Sequence, residues 1–194
     1  MNELQSSEPE PGGLNRLVEL SPFAADILTR YPALLSALRT SGRLTRTSAD
    51  GEMATLLEAT LRDCPGDDEF LHRLRLFRHR ELLRILWRDL NESADVTESL
   101  RDLSDLADAA INAALKFADD LLRARHGDPR AEDGSPCGAG VVAMGKLGGH
   151  ELNFSSDVDL VFVYSAAGET CGPRALSNEE YFRLLAQRVI DLLS

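Results

Sequence analysis

Apolar residues recur at helical spacing across residues 14–126 of the chain. The clearest stripe lies within residues 67–90 and consists of Phe70, Leu74, Phe77, Leu82, Leu83, Leu86 and Leu90. This spacing predicts one long amphipathic helix. A second long helix is predicted after Asp95 and Glu98, which have the spacing of a capping box, and Gly127 ends it. Its apolar face is predicted to contain Leu100, Leu103, Leu106, Ala110, Ala114, Phe117 and Leu121.

Shorter helices are predicted ahead of these two. Ser21 followed by Pro22 is typical of a helix start, because a hydroxyl caps the free amides and proline fits the first turn. Pro32 interrupts the next apolar stretch and therefore favours two short helices over one. A further helix is predicted over residues 54–62, and the sequence Cys64-Pro65-Gly66 stops it.

The pattern changes at Gly127, after which a loop rich in glycine, proline and aspartate leads into strand-like segments. Residues 141–144 predict a short apolar strand, and residues 158–164, which are β-branched and aromatic, predict a buried one. Ser177 and Glu180 form a second capping box before a helix with Tyr181, Leu185, Val189 and Leu192 on one face. We therefore expect an α+β fold, with a helical region over residues 14–126 and a different domain over residues 127–194.

The composition of the chain argues against several functional classes. The 194 residues carry 21 Lys and Arg against 32 Asp and Glu, so the net charge is −11, which disfavours sequence-independent nucleic-acid binding. Residues 1–13 are polar and predicted to be a disordered tail rather than a signal peptide. The apolar runs are too short to span a bilayer, and the 3 cysteines have no spacing typical of disulfide frameworks or metal sites. These features indicate a cytoplasmic protein with no membrane partner.

Two acids stand at the start of the second predicted strand. Asp157 and Asp159 are separated by one residue, and side chains at that spacing on a strand point to the same face, about 7 Å apart at their Cα atoms. Neighbouring carboxylates repel, and a divalent cation such as Mg²⁺ or Mn²⁺ relieves the repulsion. The alternative is a solvated strand edge with two surface acids.

A glycine-rich turn precedes the acids. Gly145, Gly148 and Gly149 lack side chains, so backbone amides could approach an anion, and Lys146 adds a positive charge. We expect a side chain at Gly148 or Gly149 to block a phosphate or force an unfavourable backbone angle. The hydroxyls of Ser155 and Ser156 lie just before the acids. The alternative is a tight turn that needs glycine for backbone reasons alone, and the spacing excludes a P-loop.

A glycine turn followed after eleven residues by Asp157-Val158-Asp159 resembles the nucleotidyltransferase superfamily, whose catalytic core is similar to that of DNA polymerase β. The resemblance implies a partial domain of that type over residues 127–194. It also implies that Gly145, Lys146, Gly148, Gly149, Ser155 and Ser156 bind nucleotide or phosphate. Asp157 and Asp159 would then be the catalytic metal ligands for Mg²⁺ or Mn²⁺.

The longer stretch AMGKLGGHELNFSSDVDLVFVY resembles the signature of the bifunctional glutamine synthetase adenylyltransferase/adenylyl-removing family. Residues 75–90 and 172–182 are also similar to that family. In it one half removes AMP from a tyrosine of glutamine synthetase with phosphate and releases ADP, and the other half adds AMP from ATP. Residues 153–156 resemble the removing half. The resemblance implies glutamine synthetase, the PII signalling protein, adenine nucleotide and phosphate as partners, in the regulation of nitrogen assimilation.

Two other functions remain open from the sequence. One is a nucleotidyltransferase that acts on a small molecule or on a PII protein. The other is a docking fragment without complete catalytic machinery. Enzymes of this superfamily resemble one another in using a third carboxylate from a later strand, and no acid after Asp159 lies on a recognisable strand. We therefore expect the domain to be truncated and the third acid to lie beyond residue 194.

The arginines of the long stripe have two interpretations. Arg73, Arg75, Arg78, Arg80, Arg84 and Arg88 could bind a partner or a phosphate, or form a solvated helix face offset by neighbouring acids. The interleaved acids Glu69, Glu81 and Asp89 favour the solvated face. Trp87 is predicted to lie in the core.

Overall fold

The structure, a computed structural model, describes residues 11–194. In this part of the chain the helices are α1 (Pro11–Leu20), α2 (Pro22–Arg30), α3 (Ala33–Thr40), α4 (Glu52–Leu61), α5 (Asp67–Leu90), α6 (Val96–His126), α7 (Gly145–Gly148) and α8 (Asn178–Leu193). The strands are β1 (Pro129–Ala131), β2 (Ala139–Ala143), β3 (Leu160–Tyr164) and β4 (Gly168–Thr170). Helices with small antiparallel sheets confirm the predicted α+β class. Every helix within the described range is too short or too polar to cross a bilayer.

Local sequence signals set the helix ends as predicted. The Ser21 hydroxyl accepts a hydrogen bond from the Ala24 amide at 3.2 Å, and the Asp95 carboxylate accepts one from the Glu98 amide at 2.8 Å. Only half of the capping box of Asp95 and Glu98 forms, because the Glu98 carboxylate accepts from Arg88 at 2.7 Å. The predicted break at Pro32 and the predicted helix over residues 67–90 are confirmed.

Helix α1 corrects the boundary of the predicted tail. Residues 1–10 lie outside the described part of the chain, but Pro11 to Gly13 form the first turn of α1. The Asn91 amide donates to the Gly13 carbonyl at 3.4 Å, and Leu17 is completely buried. Contact with the end of α5 therefore orders residues that the sequence alone assigned to the tail.

Two hydrophobic clusters share helix α5. The first joins Phe70, Leu74 and Phe77 to α4, α6 and α8, and the second joins Leu83, Leu86 and Trp87 to α1 and α3. Trp87 is buried, as predicted. The long helix α5 thus supports the amino-terminal helices on one part of its length and the strand-containing region on another.

The predicted solvated arginine face is wrong for part of α5. Arg84 is completely buried and donates to Glu81 at 2.9 Å and to Asp102 of α6 at 2.7 Å. Arg43 also pairs with Glu81, and Arg88 is buried against Glu98. The reason is tertiary: α6 and the chain around Arg43 cover this side of α5, so its arginines must find carboxylates inside the protein.

The pKa of the buried Glu81 carboxyl shows how the charges balance. Burial alone would raise this pKa, but the hydrogen bond from Arg43 and the charges of Arg43, Arg84 and Arg80 hold it below its usual range. Glu81 is therefore ionised at neutral pH and acts as the anion on which these guanidinium groups converge.

Each described strand pairs with one other strand. β1 pairs antiparallel with β4, and β2 pairs antiparallel with β3, in which Val141 lies opposite Phe162. The sequence missed β1 and β4, which have only 3 residues each. Strand β3 begins at Leu160, so Asp157, Val158 and Asp159 precede the strand on which they were predicted to lie.

The antiparallel pair of β2 and β3, which we call the β2–β3 ribbon, is buried on one face only. Val141, Leu160 and Phe162 pack on the first hydrophobic cluster, whereas Val142 and Val161 remain 48% and 46% exposed. The prediction that residues 158–164 form a buried strand is therefore wrong for the outer face. Nothing in the described chain covers that face.

Arg84 offers a test of the buried ionic contacts. We expect Arg84→Met to lower the free energy of unfolding by about 3 kcal/mol, because Asp102 would stay buried without its main partner. Arg183→Met is the matched control, since Arg183 and Glu180 form an exposed pair on α8, and it should cost less than about 1 kcal/mol. Urea denaturation measures both values, and equal losses would contradict the assigned role of Arg84.

Candidate metal and phosphate site

The glycine turn follows β2 and folds back on itself. Gly145 has a φ of +59°, a conformation that favours glycine, and it begins the single helical turn α7. The amide of Gly148 donates to the Met144 carbonyl at 3.2 Å, and that of Gly149 donates to the Gly145 carbonyl at 3.0 Å. These two amides are thus engaged inside the turn, and the glycines contribute room for close backbone packing rather than free donors. Lys146 is exposed.

The predicted acids lie beside this turn. The Met144 amide donates to the Asp159 carbonyl at 2.9 Å, which ties the end of β2 to the start of β3. An ideal Cβ built on Gly145 would lie 3.8 Å from the Asp159 carboxylate oxygen Oδ2, so this carboxylate lies next to the bare backbone of Gly145. Asp157 and Asp159 are both exposed. The structure therefore brings Asp159 and Gly145 together and leaves both carboxylates accessible to a cation.

The carboxylate pair suits a hard divalent cation. Oxygen ligands and open access to solvent are what Mg²⁺ and Mn²⁺ prefer, and both can keep several water ligands. Among residues 11–194, no group of three or more His, Cys, Asp and Glu side chains is arranged to hold a metal. The expectation that no acid after Asp159 lies on a strand is wrong for Glu169, which lies on β4, but β4 pairs with β1 and not with the strands beside Asp157 and Asp159.

Asn153 shapes the loop that contains the predicted serines. Its side-chain oxygen accepts the Ser155 amide at 3.1 Å and the Ser156 hydroxyl at 2.7 Å. The Ser156 proton is engaged here, so toward a ligand its oxygen is left as an acceptor. Sequence reasoning gave Asn153 no role in the site, although asparagine two residues before serine is a typical side-chain turn.

Helix α6 contributes two contacts to the turn. The completely buried Ser104 accepts the Leu152 amide at 3.1 Å, and Asp105 lies 3.2 Å from the Nε2 atom of His150. His150 adopts a φ of +57°, which is uncommon for a residue with a side chain. Sequence reasoning missed Ser104 and Asp105, since neither stands out within a helical pattern.

Asp108 lies one turn after Asp105 on α6 and is partly buried. Burial raises the pKa of its carboxyl, with a further contribution from the charge of Asp105 and an opposing one from His150. Of these two acids on α6, Asp105 is the one that contacts the turn, through His150.

A cleft of about 580 Å³ opens beside Asp157. Its floor is apolar and includes Leu103, Leu106 and Leu152, while Ser156 and Asp157 line its polar side. An apolar cleft with few polar groups is typical of a small-molecule site. The loop that holds Asp157 therefore forms one wall of a cleft large enough for part of a ligand.

The sequence model of the family described as glutamate-ammonia ligase adenylyltransferase matches residues 12–194. The chain belongs to this family. The match confirms the predicted resemblance of residues 143–164 to this family.

Several bacterial relatives are named bifunctional glutamine synthetase adenylyltransferase/adenylyl-removing enzyme. The one from Thioalkalivibrio sulfidiphilus is 46% identical over 183 residues, which are 94% of this chain and 19% of the relative. The relative from Pseudomonas aeruginosa is 43% identical over 180 residues, covering 92% and 18% of the two chains. The relative from Shewanella woodyi is 38% identical over 195 residues, covering 99% and 20%. The chain therefore spans about a fifth of the length of these relatives.

The geometry separates the two glycines that the sequence treated alike. A Cβ at Gly148 would lie 2.5 Å from the Ala143 carbonyl oxygen, whereas one at Gly149, where φ is −85°, would meet its nearest atom at 3.7 Å. The prediction that a side chain at Gly149 would strain the backbone is therefore wrong. At Gly148 a side chain is excluded by the close approach of the Ala143 carbonyl at the end of β2.

Alanine substitutions test this difference. We expect Gly148→Ala to lower the free energy of unfolding by about 2 kcal/mol, because a backbone atom must move to accommodate the methyl group. Gly149→Ala should change it by less than about 0.5 kcal/mol. Thermal or urea unfolding of the two variants gives the comparison, and a larger loss for Gly149→Ala would refute the packing argument.

Proposed function

We propose that this chain carries part of the site that removes AMP from adenylylated glutamine synthetase by metal-dependent phosphorolysis. Membership of the adenylyltransferase family supports the enzyme class, and the names of the relatives supply both adenylyl transfer and adenylyl removal. The observation that carries the proposal is the position of Asp159 beside Gly145, with Asp157 two residues earlier at a ligand-sized cleft. The domain would be a partial nucleotidyltransferase domain.

In the proposed reaction an oxygen of inorganic phosphate attacks the adenylyl phosphorus, and the bond from that phosphorus to the tyrosine oxygen breaks. The products are ADP and tyrosine, whose oxygen takes up a proton. Asp157 and Asp159 would hold Mg²⁺ or Mn²⁺, which when bound offsets the negative charge that develops on the phosphoryl oxygens. The Asp159 carboxylate already lies beside Gly145, so it needs little rearrangement to bind a cation there.

The other polar groups of the site would orient the phosphates. Lys146 supplies a positive charge on the exposed side of the turn, which suits a phosphate oxygen. Ser155 and Ser156 lie just before the acids, and the Ser156 hydroxyl would leave the Asn153 oxygen in order to donate to a phosphate. Gly145, Gly148 and Gly149 leave the approach free of side chains. These residues would act by positioning, which supplies much of the catalysis in phosphoryl transfer.

Residues 153–156 favour AMP removal over AMP addition. The sequence Asn153-Phe154-Ser155-Ser156 is similar to the removing half of the family, in which serine stands where the adding half tends to have glycine. In this chain the Ser155 amide bonds to the Asn153 side chain, so the residue belongs to a defined turn. Glutamine synthetase, adenine nucleotide and phosphate are the partners that this proposal requires, and the PII protein stays a prediction.

Metal binding tests the two acids directly. We expect the chain to bind Mn²⁺ and the double variant Asp157→Asn/Asp159→Asn to lose that binding while remaining folded, because both acids are exposed. Glu132→Gln/Asp133→Asn is the matched control, since it removes two neighbouring charges from another exposed loop. Calorimetry or Mn²⁺ spectroscopy gives the affinities. Equal affinity in wild type and the Asp157/Asp159 variant would remove these acids from the site.

The reaction itself is tested in a protein of family length. Residues 12–194 replace the matching segment of the Pseudomonas aeruginosa relative, and the chimera is incubated with adenylylated glutamine synthetase, phosphate and Mg²⁺. We expect ADP release that falls at least about a hundredfold with Asp157→Asn and not with Glu132→Gln. ADP release that is unaffected by Asp157→Asn, or AMP transfer from ATP that depends on it, would contradict AMP removal at this site.

A further inference from the structure

The loop that leads to the acids is attached to helix α6 by one buried hydrogen bond. The Leu152 amide donates to the Ser104 hydroxyl oxygen at 3.1 Å, and the same hydroxyl donates to the Leu100 carbonyl at 2.8 Å. Ser104 is completely buried, and Leu152 is 7% exposed. One side chain of the helical region thus satisfies a backbone amide of the loop at a place that water does not reach.

Other contacts at the turn are weaker or less specific. His150 and Asp105 lie 3.2 Å apart, but their side chains are 46% and 30% exposed, and ion pairs in such surroundings contribute little. Leu147 and Leu152 are buried and anchor the two ends of residues 147–152 in the core. Apolar contacts are not directional, so they do not set the orientation of the loop backbone. A buried amide that loses its acceptor is costly, so the hydroxyl of Ser104 is the contact that decides the loop's position.

The position of Leu152 fixes where the next residues of the loop lie. Asn153 comes directly after it and holds Ser155 and Ser156 through its side-chain oxygen, and Asp157 is the next residue after Ser156. On the other arm, α7 and Gly145 lie beside Asp159. A shift of the Leu152 backbone would therefore displace Asp157 relative to Asp159.

We propose that Ser104 is a positioning residue for the metal site: its buried hydroxyl fixes the start of the loop that leads to Asp157 and so sets the position of Asp157 relative to Asp159. The proposal rests on the proposed metal-binding role of these two acids. A purely structural role would lower stability and leave metal affinity unchanged, so the two roles differ in the Mn²⁺ affinity that they predict.

Ser99 supplies a matched control on the same helix. It is 5% exposed, and its hydroxyl donates to Asp89 at 2.8 Å, near the carboxyl-terminal end of α5. Ser99→Ala and Ser104→Ala each remove one buried hydroxyl from α6. The two substitutions should lower the free energy of unfolding by similar amounts, whereas only Ser104→Ala should change hydrogen exchange in the turn.

The experiment compares wild type, Ser104→Ala and Ser99→Ala in the 194-residue chain. Hydrogen exchange of residues 145–156 is measured without metal, and Mn²⁺ affinity is measured by calorimetry. We expect Ser104→Ala to speed exchange at Leu152 and to weaken Mn²⁺ binding at least about fivefold. Ser99→Ala should leave both within about twofold of wild type. Should Ser104→Ala not fold, Ser104→Cys, whose sulfur is a weaker acceptor, takes its place.

The outcomes separate the two proposals. Equal Mn²⁺ affinities for Ser104→Ala and Ser99→Ala, with a wild type that binds and an Asp157/Asp159 variant that does not, overturn the role of Ser104 alone. A wild-type chain that does not bind Mn²⁺ overturns the metal site and with it the role of Ser104. Weaker binding by Ser104→Ala, together with faster exchange at Leu152, supports the positioning role.

Discussion

The buried contact between Arg84 of α5 and Asp102 of α6 is the constraint on which the arrangement depends. At 2.7 Å, with both side chains almost completely buried, it permits one relative position of the two longest helices. A slide of either helix by one turn would separate the buried Asp102 carboxylate from Arg84 and leave it only the 3.4 Å contact with Arg101, which is far costlier than a change in apolar contacts. Ser104 and Asp105 follow Asp102 within the next turn of α6. The charge pair that fixes the helices therefore also fixes the residues that hold the glycine turn.

Local signals were readable from the sequence because their causes lie within a few residues. The Ser21 and Asp95 caps satisfy amides three residues away, and the glycine after α6 ends that helix where the apolar stripe ends. The candidate site was also readable in part. Gly145, Asp157 and Asp159 form a short motif, and the structure brings two of them together across the β2–β3 ribbon.

Features that depend on contacts between distant parts of the chain could not be predicted from the sequence. Arg84 looks like a surface residue until α6 covers it, because nothing within its own helix indicates that Asp102 will approach. Ser104 is similar: a serine in the middle of a helix has no distinguishing pattern, and its partner Leu152 lies 48 residues later. The position of Asp159 before β3, rather than on it, follows from hairpin register, which is set by the pairing of Val141 with Phe162.

The β2–β3 ribbon has a consequence for the behaviour of the chain in solution. Across residues 11–194 it has only two strands, so each has one edge whose amides and carbonyls lack a strand partner, and its outer face carries exposed Val142, Val161 and Val163. An apolar, unpaired edge is a template for a strand of another molecule, and this one has no lysine or proline within β2 or β3 to oppose such pairing. Attraction between ribbons grows with concentration, whereas the net charge of −11 opposes it at low ionic strength. Added salt screens that repulsion, so we expect self-association through the β2–β3 ribbon to increase with ionic strength.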